Sequence, residues 1–219
     1  MTGRISDQTK QRDLIVEVGR SIFDRGLTFG STGNISVRLD DGTILMSPTN
    51  ASLGAFDPAR LSLVSEDGHH LSGDPPTKEA FLHTCMYCQR QTDGAVVHLH
   101  STHSVALSLL NDLDPEDVIP PLTAYYVMRV GKLPLIPYYP PGDKSLAFAV
   151  KEYASDHHAM LLANHGPIVS GKDLRTAQYA IEELEETARI FLMMHDRNIR
   201  PLTQDQAAAL RPGVQGESK

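Results

Sequence analysis

Gly94-Ala-Val-Val-His-Leu-His100 is an apolar run with histidines at two alternate positions near its end. Successive side chains of a strand point to opposite faces, so His98 and His100 share one face while Leu99 turns back into a core. A third histidine, His165, lies in Ala163-Asn-His-Gly-Pro167, at the end of a second apolar run. Two imidazoles on one strand face and a third from another strand end make half a metal cage. Three nitrogen ligands with one open position suit a catalytic, zinc-like ion, because a structural site is closed by four protein ligands. The competing reading is chance, since ten histidines in 219 residues will sometimes fall two apart.

Working outward from this strand, apolar spacing predicts a helix over 13–25, stopped by Gly26. Short strand-like runs follow at 35–39, 43–46 and 61–64, with turns at Asp40-Asp-Gly42 and Glu66-Asp-Gly68. A helix over 78–90 follows a Gly-Asp-Pro-Pro loop with Thr77 as candidate N-cap, and Ser101-Thr102 are candidate caps for a helix reaching about Leu110. The Pro-rich stretch 119–141 reads as loops with a short helix near 125–130. A helix over 144–155, strands at 159–163 and 168–170, and a long helix over 173–195 complete the pattern. The tail from Pro201 reads as poorly ordered. Interleaved strands and helices joined at first by hairpin turns predict one domain over 1–219. The expected architecture is a three-layer α/β/α arrangement around a largely antiparallel central sheet.

The composition is that of an ordinary globular chain, 41% hydrophobic and 21% charged. A net charge of −7 without a basic cluster argues against nucleic acid or an anionic membrane as partner. No apolar run approaches the ~18 residues needed to span a bilayer, and the polar start lacks a signal-peptide core, so the expected location is the cytoplasm. Cys85 and Cys88 form a C-x-x-C, but inside a helix rather than at its start, and are expected to be buried thiols that merely pack.

Three polar segments would converge if the strand ends share one rim: Gly30-Ser-Thr-Gly-Asn-Ile-Ser36, Ser47-Pro-Thr-Asn-Ala-Ser52 and Pro76-Thr-Lys-Glu79. Exposed backbone N–H groups, amides and hydroxyls suit a phosphate, and a helix start adds the positive end of the macrodipole. Each segment alone is also simply a loop. Glu79 reads either as a first-turn glutamate complementing its helix or as a proton carrier beside the metal. His83, one turn on, reads as a packed histidine rather than a fourth ligand. His103 is expected to cap or line its helix, and His69, His70, His157 and His158 to be solvated.

Taken in order, Thr32-Gly-Asn-Ile-Ser-Val-Arg38, Ser47-Pro-Thr-Asn50, Pro76-Thr-Lys-Glu79, Val97-His-Leu-His-Ser101 and Ala163-Asn-His-Gly-Pro167 resemble the class II aldolase/adducin family over nearly the whole chain. The resemblance implies Zn²⁺ on His98, His100 and His165, with Glu79 beside it as an alternate ligand and acid/base. It implies a phosphate at Gly33, Asn34, Thr49 and Asn50, helped by Thr77 and Lys78, and a homotetramer with sites at subunit boundaries. Two departures from the family's sugar-phosphate aldolases stand out. Thr77-Lys78 replaces a pair of small hydroxyl residues, adding a charge able to hold a second anion, and no tyrosine follows Tyr179.

The stretch 120–143, with Lys78-Glu-Ala-Phe-Leu-His83 and Leu184-Glu-Glu-Thr-Ala188, is similar to the branch of 3-oxo-tetronate 4-phosphate decarboxylases. That branch implies metal-dependent loss of CO₂ from a phosphorylated sugar acid, giving dihydroxyacetone phosphate through a stabilised enediolate. Glu79 or a tyrosine, Tyr125 or Tyr126, would supply the proton. A sugar-phosphate aldolase or epimerase with the same metal is the nearest alternative, and a non-catalytic adducin-like binding module is a third.

Overall fold

The computed structural model describes residues 7–140 and 142–210. Eight strands form one sheet: β1 (Asn34–Arg38), β2 (Ile44–Met46), β3 (Ser62–Val64), β4 (His70–Ser72), β5 (Ala95–His98), β6 (Leu135–Ile136), β7 (Ala159–Leu162) and β8 (Gly166–Gly171). Their order is β4-β3-β2-β1-β5-β8-β7-β6, and every pairing is antiparallel except β6 with β7. The expected largely antiparallel sheet is therefore present, with two strands more than the sequence suggested. β4 and β6 are edge strands of three and two residues, and too few residues alternate in them to give a period.

Alternation along the strands sorts the core into two layers. Ile35, Val37, Leu45, Val97, Leu161 and Val169 face one way. There they meet Ile15, Val18 and Ile22 of α1 (Asp7–Asp24) and Ile181 and Leu184 of α6 (Leu174–Met194). Ile44, Met46, Val96, Met160 and Ile168 face the other way, onto α2 (Ala80–Gln89) and α5 (Ser145–Ala154). The short helices α3 (Thr102–Leu107) and α4 (Ala124–Arg129) lie against α6. Among the described residues, no helix is long and apolar enough to cross a membrane.

Several local expectations need correction. The described part of the tail from Pro201 is not irregular: Gln204–Leu210 form α7, which packs on α4 and buries Ala207, and 211–219 lie outside the described residues. Thr77 does not cap its helix as expected, whereas Ser101 does take the N-cap position of α3, though without a side-chain bond. α2 begins at Ala80, and the first turn of α3 is held from outside by the buried Glu185 carboxylate. That group accepts from His103 N (2.8 Å), Ser104 N (2.9 Å) and Ser104 Oγ (2.7 Å). Of the two thiols only Cys85 packs, donating to Ala147 O of α5 at 3.3 Å; Cys88 is exposed. His158 is not solvated, because burial beneath β8 lets its Nδ1–H donate to Ser170 O at 3.0 Å.

Candidate metal centre

The register sets the site. Asn34 pairs with His98 across β1 and β5, and His98 pairs with Ile168 across β5 and β8. The start of β1, the end of β5 and the β7–β8 hairpin therefore share one rim. The hairpin loop is Ala163-Asn-His165, turned by Asn164 in the left-handed region at φ 58°. Gly166 follows at φ 143°, and a Cβ there would lie 2.2 Å from Leu99 O. Only glycine lets the hairpin press against the end of β5, and that approach delivers His165 to the other two histidines.

His98 is fully buried, and its Nδ1–H donates to Pro167 O at 2.8 Å, leaving Nε2 bare toward the rim. His98 Nε2 lies 3.3 Å from His165 Nε2, which lies 3.1 Å from His100 Nε2. Burial holds His98 below its ordinary value and His100 down to about 3, further lowered by the neighbouring imidazoles. One Nε2 proton would satisfy one of these contacts and leave the other lone pairs facing each other. A cation among them removes the conflict. Tetrahedral ligands at about 2.0–2.1 Å sit roughly 3.3 Å apart, so the donor set fits such an ion.

Glu79 stands beside this cluster, Oε1 at 3.1 Å from His165 Nε2 and Oε2 at 3.5 Å from His98 Nε2. Burial pushes its carboxyl up, but the electrostatic pull of His98 and His165 and the hydrogen bonds from His165 and Asn34 outweigh that and hold it well below the usual carboxylate range. Glu79 precedes the first turn of α2 and makes no side-chain cap bond there. The four side chains form a group able to hold a metal ion.

The three polar segments do converge. Thr49 N donates to Pro75 O (2.9 Å), Thr77 N to Ser47 O (3.1 Å) and Ser47 N to Ile35 O (2.9 Å), stitching the loops edge to edge. They enclose a cleft of about 800 Å³ that Gly33, Asn34, Thr49, Asn50, Thr77, Lys78, Glu79, His100 and His165 all line. Asn50 (φ 56°) and Asn164 are the two non-glycine residues with positive φ among those described, and both lie on this cleft. Gly33 (φ 79°) cannot carry a side chain either, since a Cβ would meet His98 O at 3.0 Å. Lys78 is exposed at the rim.

Asn34 differs from the expectation of a phosphate-binding amide. Its side chain is buried and committed: Nδ2 donates to Glu79 Oε2 at 2.7 Å, and Oδ1 accepts from His83 Nε2. Tyr126 cannot serve as proton donor, because it is 1% exposed in the α1–α6 layer with its hydroxyl enclosed away from the cleft. Tyr125 is 61% exposed but does not line the cleft of its own chain. Tyr138 and Tyr139 do line it, together with Thr102 and Asn164. Nothing in their sequence context singled out these two tyrosines, since aromatic residues in a Pro-rich loop usually only pack.

Comparison with known proteins agrees with this geometry. A Pectobacterium atrosepticum protein named 3-oxo-tetronate 4-phosphate decarboxylase is 50% identical over 206 residues, 94% of each chain. A Methanococcus maripaludis L-fuculose phosphate aldolase is 32% identical over 181 residues, 83% of this chain and 96% of its own. The crystal structure of YgbL from Escherichia coli superposes with a TM-score of 0.92 at 47% identity, covering 94% of this chain and 99% of that one. Residues 13–192, which hold the whole cluster, match the class II aldolase and adducin N-terminal domain, and the chain belongs to that family.

Proposed function

We propose that the chain is a metal-dependent lyase that decarboxylates a 3-oxo-tetronate 4-phosphate to dihydroxyacetone phosphate and CO₂. The observation that carries this reading is a three-histidine, one-glutamate cluster in a cleft of about 800 Å³ lined by hydroxyls and amides, in a chain half identical to a protein bearing that name. His98, His100 and His165 would hold the ion, which we take to be zinc from its nitrogen-rich donors. When bound, it supplies Lewis acidity beside the carbon–carbon bond that breaks.

The chain's own residues do the rest. The backbone of Gly33 and the side chains of Thr49, Asn50 and Thr77 hold the phosphate, and Lys78 adds the cleft's exposed ammonium charge. Anchoring that end fixes the orientation of the carboxylate that departs. Loss of CO₂ leaves an enediolate that needs one proton at C2. Glu79, ionised at rest, takes up a proton and returns it there. Tyr138 or Tyr139 of the same cleft, or Tyr125 reaching a neighbouring subunit's cleft, is the second donor.

The homotetramer implied by the family resemblance is part of this proposal, and light scattering reads its mass directly. The described strands form one sheet, and the described helices pack on it or on one another, in keeping with the proposed single domain. The free cysteines fit a cytoplasmic setting.

Incubating the zinc-loaded protein with both C2 epimers of 3-oxo-tetronate 4-phosphate should release CO₂ and dihydroxyacetone phosphate in equal amounts. Chelation should stop the reaction and zinc restore it. Cleavage of only a ketose phosphate to an aldehyde would instead favour the aldolase reading, which the Methanococcus maripaludis similarity supports.

A further inference from the structure

Behind Glu79 lies a row of buried polar side chains that the reading above does not use. Asn34 is 4% exposed, His83 and Ser36 0%, and Tyr87 2%. They connect in sequence: Asn34 Nδ2 to Glu79 Oε2 (2.7 Å), His83 Nε2 to Asn34 Oδ1, Ser36 Oγ to His83 Nδ1 (2.7 Å), and Tyr87 Oη to Ser36 Oγ (2.8 Å). β1 supplies Asn34 and Ser36 from one face, and α2 supplies His83 and Tyr87 one turn apart.

The chemistry assigns every proton. An ionised carboxylate only accepts, so Asn34 must turn its NH₂ to Glu79 and its oxygen to His83. His83 therefore carries its proton on Nε2. Fully buried and neutral, it leaves Nδ1 bare to accept from Ser36, whose oxygen in turn accepts from Tyr87. Every donor in the chain points toward Glu79. The alternative for Glu79 is its own helix: a glutamate preceding the first turn is drawn to the free N–H groups of α2, and it makes no such bond here.

We propose that His83 is a positioning residue for the metal centre: acting through Asn34, and locked by Ser36 and Tyr87, it holds the Glu79 carboxylate against the three histidines and away from the start of α2. This rests on the reading of Glu79 as the group that works at the metal.

The test is a double-mutant cycle on the zinc-loaded protein, with CO₂ release as the assay. His83→Leu should lower kcat by about 10–100-fold with KM unchanged, the usual cost of losing the partner behind a site residue. His83→Gln, which restores an N–H toward Asn34, should recover most of that loss. In a Glu79→Gln background His83→Leu should cost nothing further. Equal losses in both backgrounds, or full kcat in His83→Leu, would overturn the proposal.

A second measurement needs neither turnover nor the leucine variant. ¹⁵N-histidine NMR of the intact protein, with the His83 signals identified by their absence in His83→Gln, should show the Nε2–H tautomer. The Nδ1–H tautomer would reverse the chain and overturn the inference. A wild-type protein that releases no CO₂ would sink the decarboxylase reading while leaving the tautomer to decide this one.

Discussion

The two faces of the sheet are built from the same strands and do different work. Toward α1 and α6, β1 and β5 present Ile35, Val37, Val97 and Leu99, an apolar surface. Toward α2 and α5, the alternate positions are Asn34, Ser36, Val96 and His98; Asn34 and His98 meet Glu79, and Ser36 bonds His83 and Tyr87 of α2. The accounting of buried polar atoms differs in the same way. On the apolar side the Tyr126 and Thr187 hydroxyls have no hydrogen-bond partner among the described residues, whereas Tyr87 of α2 has one. The first face holds the fold mainly by burial, with the Glu185 carboxylate of α6 fastening α3. The second gives up apolar area to fix the direction of a few side chains, which is tolerable because its polar groups are paired, the Nε of Arg38, whose guanidinium lies over the Tyr87 ring, excepted.

The largest expected effects set these faces against each other. Glu79→Gln keeps the shape of the side chain and loses its charge. Turnover should fall by about 10²–10⁴, the usual size of a general acid–base contribution, with metal retained and stability little changed. Ile181→Ala on α6 should do the reverse, costing about 2–5 kcal/mol in denaturant unfolding while kcat per folded molecule stays at the wild-type value. Ile181 is fully buried in the α1–α6 layer, so the loss is that of a filled core site. Steady-state kinetics, metal analysis and urea titration on the two variants would check this. A large drop in kcat for Ile181→Ala would show that the faces are not separable.

This division was partly legible in the sequence. His98, Leu99 and His100 alternate in plain view, and the resemblance of five segments to a known family gathered Glu79 with the three histidines. Asn34 and Ser36 alternate in the same way, but two small polar residues near a Gly-rich turn do not reveal a buried partner 49 positions away in His83. α7 did leave a signal. Thr203 Oγ accepts from Gln206 N (3.2 Å) and Gln206 Oε1 accepts from Thr203 N (2.9 Å), a capping box written Thr203-Gln-Asp-Gln206 ahead of Ala207. The Pro and Gly residues around it obscured that pattern. Tyr125 and Tyr126 are neighbours in the short helix expected near 125–130. The helical turn sends the second into the core and the first to the surface, a distinction fixed by how α4 packs on α6 rather than by composition.

The polar face should also be the acid-sensitive one. Burial drives His83 from 6.5 down to about 3, so the native state keeps it neutral while the unfolded chain protonates it near its ordinary value. Below pH 6.5 the unfolded state then binds the extra proton, and stability falls as pH falls. The contribution is complete above about 6.5 and is lost progressively toward 3, at up to about 1.4 kcal/mol per pH unit. Urea unfolding of wild type and His83→Gln between pH 7 and pH 4.5 isolates this residue, and the variant should show the shallower slope. Parallel curves would mean that His83 is protonated in the native state.

The smallest effect compares two tyrosines of equal burial. Tyr87 is 2% exposed and Tyr126 is 1% exposed, so replacing either by phenylalanine removes one oxygen and nearly no apolar area. Tyr87→Phe breaks the bond to Ser36 and should cost about 0.5–1.5 kcal/mol. Tyr126→Phe removes a hydroxyl that is buried without a partner, a group whose desolvation is never repaid, and should be neutral or slightly stabilising. The same variant bears on chemistry. Tyr126→Phe should turn over at the wild-type rate, because a ring enclosed in the α1–α6 layer reaches neither its own cleft nor a neighbour's. Thermal melts and kcat for the pair therefore ask one question twice: whether a buried hydroxyl matters here for being present, or only for what it is bonded to.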